Sequence, residues 1–344
     1  MKAIVQPTYG SPDDLQLRDI DQPTIGDHDV LVRVHAASVN TADRLILRGR
    51  PYLMRAAGSG LGFSPRRPQF AVAGTDLAGR VAAVGSLVTA FRPGDEVYGS
   101  VPGAIAEYVA APDTALAAKP SSLSFQQAAA MPLAALTALQ GLRDAGQVQP
   151  GQRVLINGAS GGVGTYAVQI AKVLGAEVTA VTSGPNVEMV RSLGADHVID
   201  YTSEDFTESA SRYDVILDLV GNHSLSARRR ALTATGTLLL SYVGTNRWVG
   251  PIGHILAAVV LTRFTSHRIV SFTTAPSSAD LLVLAQLTDD GKIVPIIDRT
   301  YRLDQAAEAI RYLELGRARG KVIISISISD RGALAALTRA SVAS

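Results

Sequence analysis

The 344-residue chain contains no cysteine, which excludes disulfides, thiolate nucleophiles and cysteine-ligated zinc. It also has little net charge, +2 from 32 basic and 30 acidic residues, so nothing in its bulk charge attracts nucleic acid. The basic runs Arg66-Arg67 and Arg228-Arg229-Arg230 are short, lack interleaved aromatics and read as solvated faces. No apolar run reaches the roughly 20 residues that a membrane span needs. Ile252 to Leu261 is the most apolar later stretch; Gly253-His254 and Arg263 limit it, and it reads as a buried or pocket helix. The segment Met1-Lys2-Ala3-Ile4-Val5-Gln6-Pro7 has neither a long apolar run nor a small-residue cleavage site, so a cytoplasmic enzyme without a signal peptide is expected. His28, His35, His197, His223, His254 and His267 stand at no metal-ligand spacing and read as surface or satisfied core residues. With 47% hydrophobic and 18% charged residues, the chain has the composition of a globular protein and the length for two domains.

What is present centres on one stretch, Val154-Leu155-Ile156-Asn157-Gly158-Ala159-Ser160-Gly161-Gly162-Val163-Gly164. The apolar, β-branched residues before the glycines have the character of a central strand. Val163, Ala167, Ile170, Ala171 and Leu174 then recur on one stripe of a helix. In a strand-turn-helix unit the glycines allow a sharp turn and a close phosphate, and the free N–H groups of the helix start receive the charge. The spacing Gly158-x-x-Gly161-Gly162-x-Gly164 departs from the common G-x-G-x-x-G pattern, so the context carries the reading. A structural glycine turn of another α/β protein is the alternative. A phosphate loop of the Gly-Lys-Ser/Thr kind is excluded, because that sequence does not follow.

Along the chain, Met1 to about Pro120 reads as short strands and turns, with Val30 to Val34 alternating and Pro23, Gly26, Pro93-Gly94-Asp95 and Pro102-Gly103 as breaks. Tyr52 to Gln69 reads as a long surface loop. Ser124 is a candidate N-cap for alanine-rich helix split at Met131-Pro132. Strands at Glu177 to Thr182, His197 to Ile199, Asp214 to Leu219, Thr237 to Ser241 and Arg268 to Phe272 alternate with helical segments, the pattern of a doubly wound parallel sheet. From about Pro276 the last segment adds an amphipathic helix, a strand near Ile296, a helix from Asp304 to Leu315 and a strand from Val322 to Ile326.

Several motifs in order resemble the zinc-free, quinone-oxidoreductase-like branch of the medium-chain dehydrogenase/reductase superfamily. They are Ala37-Ser38-Val39-Asn40-Thr41-Ala42-Asp43, Gly74-Thr75-Asp76-Leu77-Ala78-Gly79, Pro93 to Gly99, Ala106-Glu107-Tyr108-Val109, Met131 to Ala138, the glycine loop, Leu193 to Tyr201 and Gly320-Lys321-Val322. The resemblance implies an α/β protein in which a GroES-like, β-rich catalytic domain (1–122 and 275–344) carries an inserted Rossmann domain (123–274), with the active site in the cleft between them. Zinc-dependent relatives place a catalytic cysteine where this chain has Asn40, and Gly-His-Glu where it has Gly74-Thr75-Asp76. With those ligands gone no metal site is expected, and Asp76 reads as a polar residue near the cleft.

The resemblance also implies a nicotinamide cofactor. No carboxylate follows the second strand at Thr182-Ser183-Gly184-Pro185-Asn186, which leaves room for the 2′-phosphate of NADPH and keeps NADH possible. Ser183 and Tyr201 are expected beside that phosphate, with neutralisation from Arg319 or Lys321. Ser160, Gly161, Gly162, Val163 and Gly164 are expected at the pyrophosphate. Asn40, Thr137, Val220 and Phe272 are the further cofactor candidates. Asn40 is expected to bond the nicotinamide ribose or the acceptor carbonyl; Asp43 and Tyr52 are further candidate catalytic groups in the cleft. Without zinc, the remaining chemistry is direct hydride transfer to a small hydrophobic electrophile, a quinone or a conjugated enal or enone. An enoyl reductase of a biosynthetic pathway and a non-catalytic nucleotide-binding protein are the alternatives. A homodimer with no nucleic-acid or membrane partner is expected, and Asn246 to Phe264 is expected to shape the substrate pocket or a subunit contact.

Overall fold

The computed structural model describes residues 1–57, 63–241 and 266–327. The expected pocket tract, Asn246 to Phe264, lies outside them. The strands are β1 (Lys2–Val5), β2 (Gln16–Asp19), β3 (Asp29–Val39), β4 (Asp76–Val84), β5 (Glu96–Ser100), β6 (Tyr108–Pro112), β7 (Leu116–Ala118), β8 (Arg153–Asn157), β9 (Glu177–Thr182), β10 (His197–Asp200), β11 (Tyr213–Asp218), β12 (Leu232–Leu240), β13 (Arg268–Ser271), β14 (Ile297–Arg302) and β15 (Lys321–Ser325). They make a small β1-β2 sheet and two large ones. One large sheet runs β14-β15-β3-β4-β5-β7, with β6 paired to β3; the other runs β10-β9-β8-β11-β12-β13.

Every pairing in the second large sheet is parallel. Numbered from β8, its order is 3-2-1-4-5-6, the doubly wound order whose crevice opens where the chain reverses direction between the first and fourth strands. β8 is flanked by β9 and β11, and Val154, Leu155 and Ile156 are all fully buried. This explains why β8 reads as a continuous apolar run rather than an alternation. The first large sheet is antiparallel except for β14 against β15.

The helices are α1 (Thr41–Arg48), α2 (Tyr52–Ala57), α3 (Phe125–Ala129), α4 (Pro132–Leu139), α5 (Gly162–Val173), α6 (Val187–Ser192), α7 (Leu225–Arg230), α8 (Ser278–Asp289) and α9 (Ala306–Glu314). α3 and α4 are divided where Met131-Pro132 predicts, with Ser124 capping α3 and Pro132 at the first position of α4. α8 joins the two sheets: Leu281 and Leu284 pack in an apolar cluster to which both sheets contribute, and the Tyr98 hydroxyl of β5 donates to the Leu281 carbonyl.

Two expectations need correction. The stretch from Tyr52 is not wholly loop, since Tyr52–Ala57 forms α2. The run Arg228-Arg229-Arg230 is not a solvated face throughout. Arg228 is fully buried, because α7 turns it inward onto the carboxylate of Asp218 at 2.6 Å, and a guanidinium tolerates burial only when paired.

Candidate active site

Strand register assembles the first part of the site. β3 pairs with β15 through Val39 opposite Val322, and with β4 through Ser38 opposite Asp76. The next residues outward, Asn40 and Lys321, therefore emerge beside Asp76 at one edge of the sheet. Asn40 starts α1, and the Asp43 carboxylate, three residues on, accepts the Asn40 backbone N–H at 2.7 Å. That bond caps the helix start and frees the Asn40 side chain for other partners.

The Asn40 amide nitrogen donates to Thr75 Oγ1 at 3.1 Å and to Asp76 Oδ2 at 2.9 Å. Its oxygen accepts from the Lys321 ammonium. Asp76 Oδ2 also accepts from Ser38 at 3.1 Å and lies 3.5 Å from Lys321 Nζ. Asp76 Oδ1 accepts the Leu133 N–H of α4 at 3.1 Å, and the Thr75 hydroxyl donates to Asp43 at 3.2 Å. Asn40, Asp43, Asp76 and Lys321 are all buried. Burial raises the Asp43 carboxyl to about 7, with the charge of Asp76 adding to the rise against the Asn40 N–H, Lys321 and Thr75. Burial also lowers the Lys321 ammonium, against the pull of Asp76 and Asp43.

The second part is the glycine loop. Gly158 has φ of 90°, which a side chain rarely adopts, and a Cβ there would stand 2.8 Å from Val220. Gly161 caps α5, and Thr165 N to Gly161 O is the first bond of the helix. The N–H groups of its first turn thus have no intrahelical acceptors. At twelve residues, α5 presents a positive end to the crevice of the parallel sheet. A glycine cradle and a helix end at that crevice fit a dinucleotide.

The two parts touch. Gly161 forms a parallel bridge with Gly320, and Gly320 N donates to the Ser160 carbonyl at 2.9 Å. A Cβ on Gly162 would stand 3.1 Å from Lys321 Cδ and 3.5 Å from Gly320 O. A side chain at Gly162 would thus have to move the Lys321 stem by a few tenths of an ångström.

Comparisons with known proteins agree with this architecture. Residues 26–121 match the alcohol dehydrogenase GroES-like domain family, and residues 193–324 match the zinc-binding dehydrogenase family. The 2-methylene-furan-3-one reductase of Solanum lycopersicum is 35% identical over 339 residues, covering 94% of this chain and 79% of its own. The NADPH-dependent alkenal/one oxidoreductase of Arabidopsis thaliana is 34% identical, covering 94% and 79%. The quinone oxidoreductase structure from Coxiella burnetii superposes with a TM-score of 0.83 at 32% identity, covering 95% and 99%. The chain belongs to the quinone-oxidoreductase-like branch of the medium-chain dehydrogenase/reductase superfamily. Its antiparallel and parallel sheets are accordingly the GroES-like and Rossmann parts of an α/β fold, and its general activity is that of an NAD(P)H-dependent oxidoreductase.

Within this family fold, the remaining predicted residues fall at several places. Val163 and buried Gly164 lie in the first turn of α5. The Thr137 hydroxyl donates to the Leu133 carbonyl at 2.6 Å and lies 2.7 Å from Thr274 Oγ1. Its one proton is used, so Thr274 is the donor and Thr137 keeps one lone pair. Phe272 sits over Gly141, where a Cβ would stand 2.6 Å from the ring. Val220 follows β11 with its N–H on Asp218 Oδ1 at 3.0 Å. Ser183 and Tyr201 are neighbours, because Tyr201 N donates to Thr182 O at 3.0 Å; Tyr201 is exposed. Tyr52 lies on α2 beneath the Arg50 guanidinium, which is 6.0 Å from the ring centroid.

Two points about the cofactor loop go beyond the sequence reading. Lys321 does not serve the Ser183 region, because its ammonium is buried against Asn40 and Asp76. A carboxylate does stand near that region: Asp200, at the end of β10, lies opposite Thr182. A Cβ on Gly184 would be 2.7 Å from its Oδ2. Hydrogen bonds from Thr202 and from the Gly184 N–H hold this carboxyl below its ordinary value. Asp200 belongs to the neighbouring strand β10, outside the residues that directly follow β9.

Proposed function

We propose that the protein is a zinc-independent reductase of quinones or conjugated enones and enals, with NADPH modestly preferred over NADH. The observation that carries this reading is the donor set at the ends of β3, β4 and β15: an amide, an ammonium and a carboxylate. An ammonium has no lone pair to offer and repels a second cation, so these side chains suit no Lewis-acid metal. Acceptors whose conjugation already draws electrons fit such a site. The names of the alkenal/one and furanone reductases support the same class. The CurK enoyl reductase structure, at 27% identity and a TM-score of 0.82, supports a conjugated enoyl thioester as the second reading.

In this proposal residues 1–122 and 275–344 form the catalytic domain and 123–274 the cofactor domain. When bound, the cofactor supplies a hydride. Ser160, Gly161, Gly162, Val163 and Gly164 hold its pyrophosphate at the α5 terminus, Ser183 and Tyr201 border the adenine ribose, and Val220 and Phe272 flank the crevice. Asn40 and Thr137 face the nicotinamide end. Asp43 acts through the Asn40 backbone and Thr75, and Tyr52 is the candidate donor to the acceptor oxygen. A cytoplasmic homodimer belongs to the same proposal.

Steady-state turnover of a panel of quinones and enals with NADPH, with and without a chelator, tests the reading. Turnover insensitive to chelation is expected. Cofactor binding with no turnover of any acceptor would overturn it in favour of a nucleotide-binding protein. The preference has its own test. Asp200→Asn keeps the turn at Thr202 but removes a charge beside the ribose, and is expected to tighten NADPH by about fivefold while leaving NADH unchanged. Equal shifts for both cofactors, measured by calorimetry, would place the adenine ribose elsewhere.

A further inference from the structure

The Asn40 amide is bracketed by two groups of opposite hydrogen-bonding character. Lys321 can only donate and meets the oxygen; Asp76, as a carboxylate, can only accept and meets the nitrogen. Turning the amide over would set N–H against ammonium and C=O against carboxylate. Its orientation is therefore dictated by chemistry. Both amide protons are taken, by Thr75 and Asp76, while the oxygen has used one of its two lone pairs.

We propose that Lys321 is a positioning residue whose buried ammonium fixes Asn40 so that it offers the cleft a lone pair and no N–H. This rests on the reading of the site as a nicotinamide-dependent reductase. A partner of Asn40 must then be a donor, such as a ribose hydroxyl or a carboxamide N–H. The carbonyl oxygen of an acceptor is excluded, which narrows the two roles expected for Asn40 to one. Lys321 is suited to this work because it is tied to the cradle as well. Gly320 bonds Ser160, and the Lys321 stem passes the α carbon of Gly162 so closely that a Cβ there would stand 3.1 Å from it. The backbone beside Lys321 is thus tied to the glycine loop through Gly320.

The test uses Lys321→Met alone and with Asp76→Asn. The single variant leaves a buried carboxylate without its cation and is expected to lose stability; the double variant removes both charges and restores the melting temperature. Binding of NADPH is compared with that of 2′,5′-ADP, which has the adenine end but no nicotinamide ribose. In the double variant NADPH is expected to weaken about tenfold, the loss of one charge-positioned hydrogen bond, with 2′,5′-ADP unchanged. The same split appears as a raised KM for NADPH at an unaltered KM for the acceptor. A double variant that binds NADPH like the wild type, or that loses both ligands equally, overturns the positioning role. Wild-type protein that binds neither ligand overturns the cofactor reading, and the proposal with it.

Discussion

Asp218→Ala is expected to lower unfolding stability by about 3 to 5 kcal/mol, the cost of leaving a buried guanidinium without its carboxylate. Asp218 and Arg228 are both fully buried, and Asp218 Oδ2 accepts from Arg228 Nη1 at 2.6 Å. The other oxygen, Oδ1, accepts from Asn157 Nδ2 at 2.9 Å, Val220 N at 3.0 Å and Gly221 N at 2.9 Å. One carboxylate thus fixes the end of β8 and the turn after β11, the two strands that border the crevice. Val220 in turn covers Gly158, the first residue of the glycine loop. Loss of cofactor affinity should accompany the loss of stability for that reason. Urea unfolding measures the first effect. The double variant Asp218→Ala with Arg228→Met should recover much of it, since neither charge is then stranded. A single variant within 1 kcal/mol of wild type would show that the pair is not a fixture of the domain.

The residues of this pair also show where sequence reading stops. β8, its glycines and α5 are contiguous and follow rules of local spacing, so this strand-turn-helix unit is legible in the sequence. A doubly wound parallel sheet is legible in the apolar strands that alternate with helices; its strand order comes from the structure. Asp218, by contrast, ends a strand that was recognised only for its hydrophobicity, and Arg228 sat in a run that looked solvated. Nothing local distinguishes a buried arginine from an exposed one; its partner is ten residues away across a loop. Lys321 lies 281 positions from Asn40, and only the register of β3 with β15 brings them together. Its motif is legible in the sequence, yet the sequence offers its charge, with that of Arg319, only as a partner for the adenine phosphate. The link between Asn40 and Asp43 did have a local signal, since a polar helix cap followed three residues later by an acid is the pattern of a capping box.

That acid carries the second large effect, a pH dependence of stability. In the unfolded chain Asp43 ionises near its ordinary 3.8, whereas in the fold burial raises it to about 7. Between those values the folded state keeps a proton that the unfolded state releases. Stability should therefore be greatest, as far as this group is concerned, below about pH 4, should fall as pH rises, and should reach its full loss above about pH 7. Asp43→Asn removes the ionisation. Its amide oxygen can still accept the Asn40 N–H, and the Thr75 hydroxyl, which donates to the ionised carboxylate, can turn to accept from the NH2 as it would from the protonated acid. The variant should consequently gain on wild type by roughly 3 to 4 kcal/mol between pH 4 and pH 8. Urea unfolding of both proteins across that range measures the difference, in which every group unaffected by the substitution cancels. Parallel pH profiles would mean that Asp43 is ionised in the fold at every pH tested. The Thr75 hydroxyl and Lys321 would then be compensating a second buried carboxylate beside Asp76, and the cluster around Asn40 would carry net negative charge towards the cofactor.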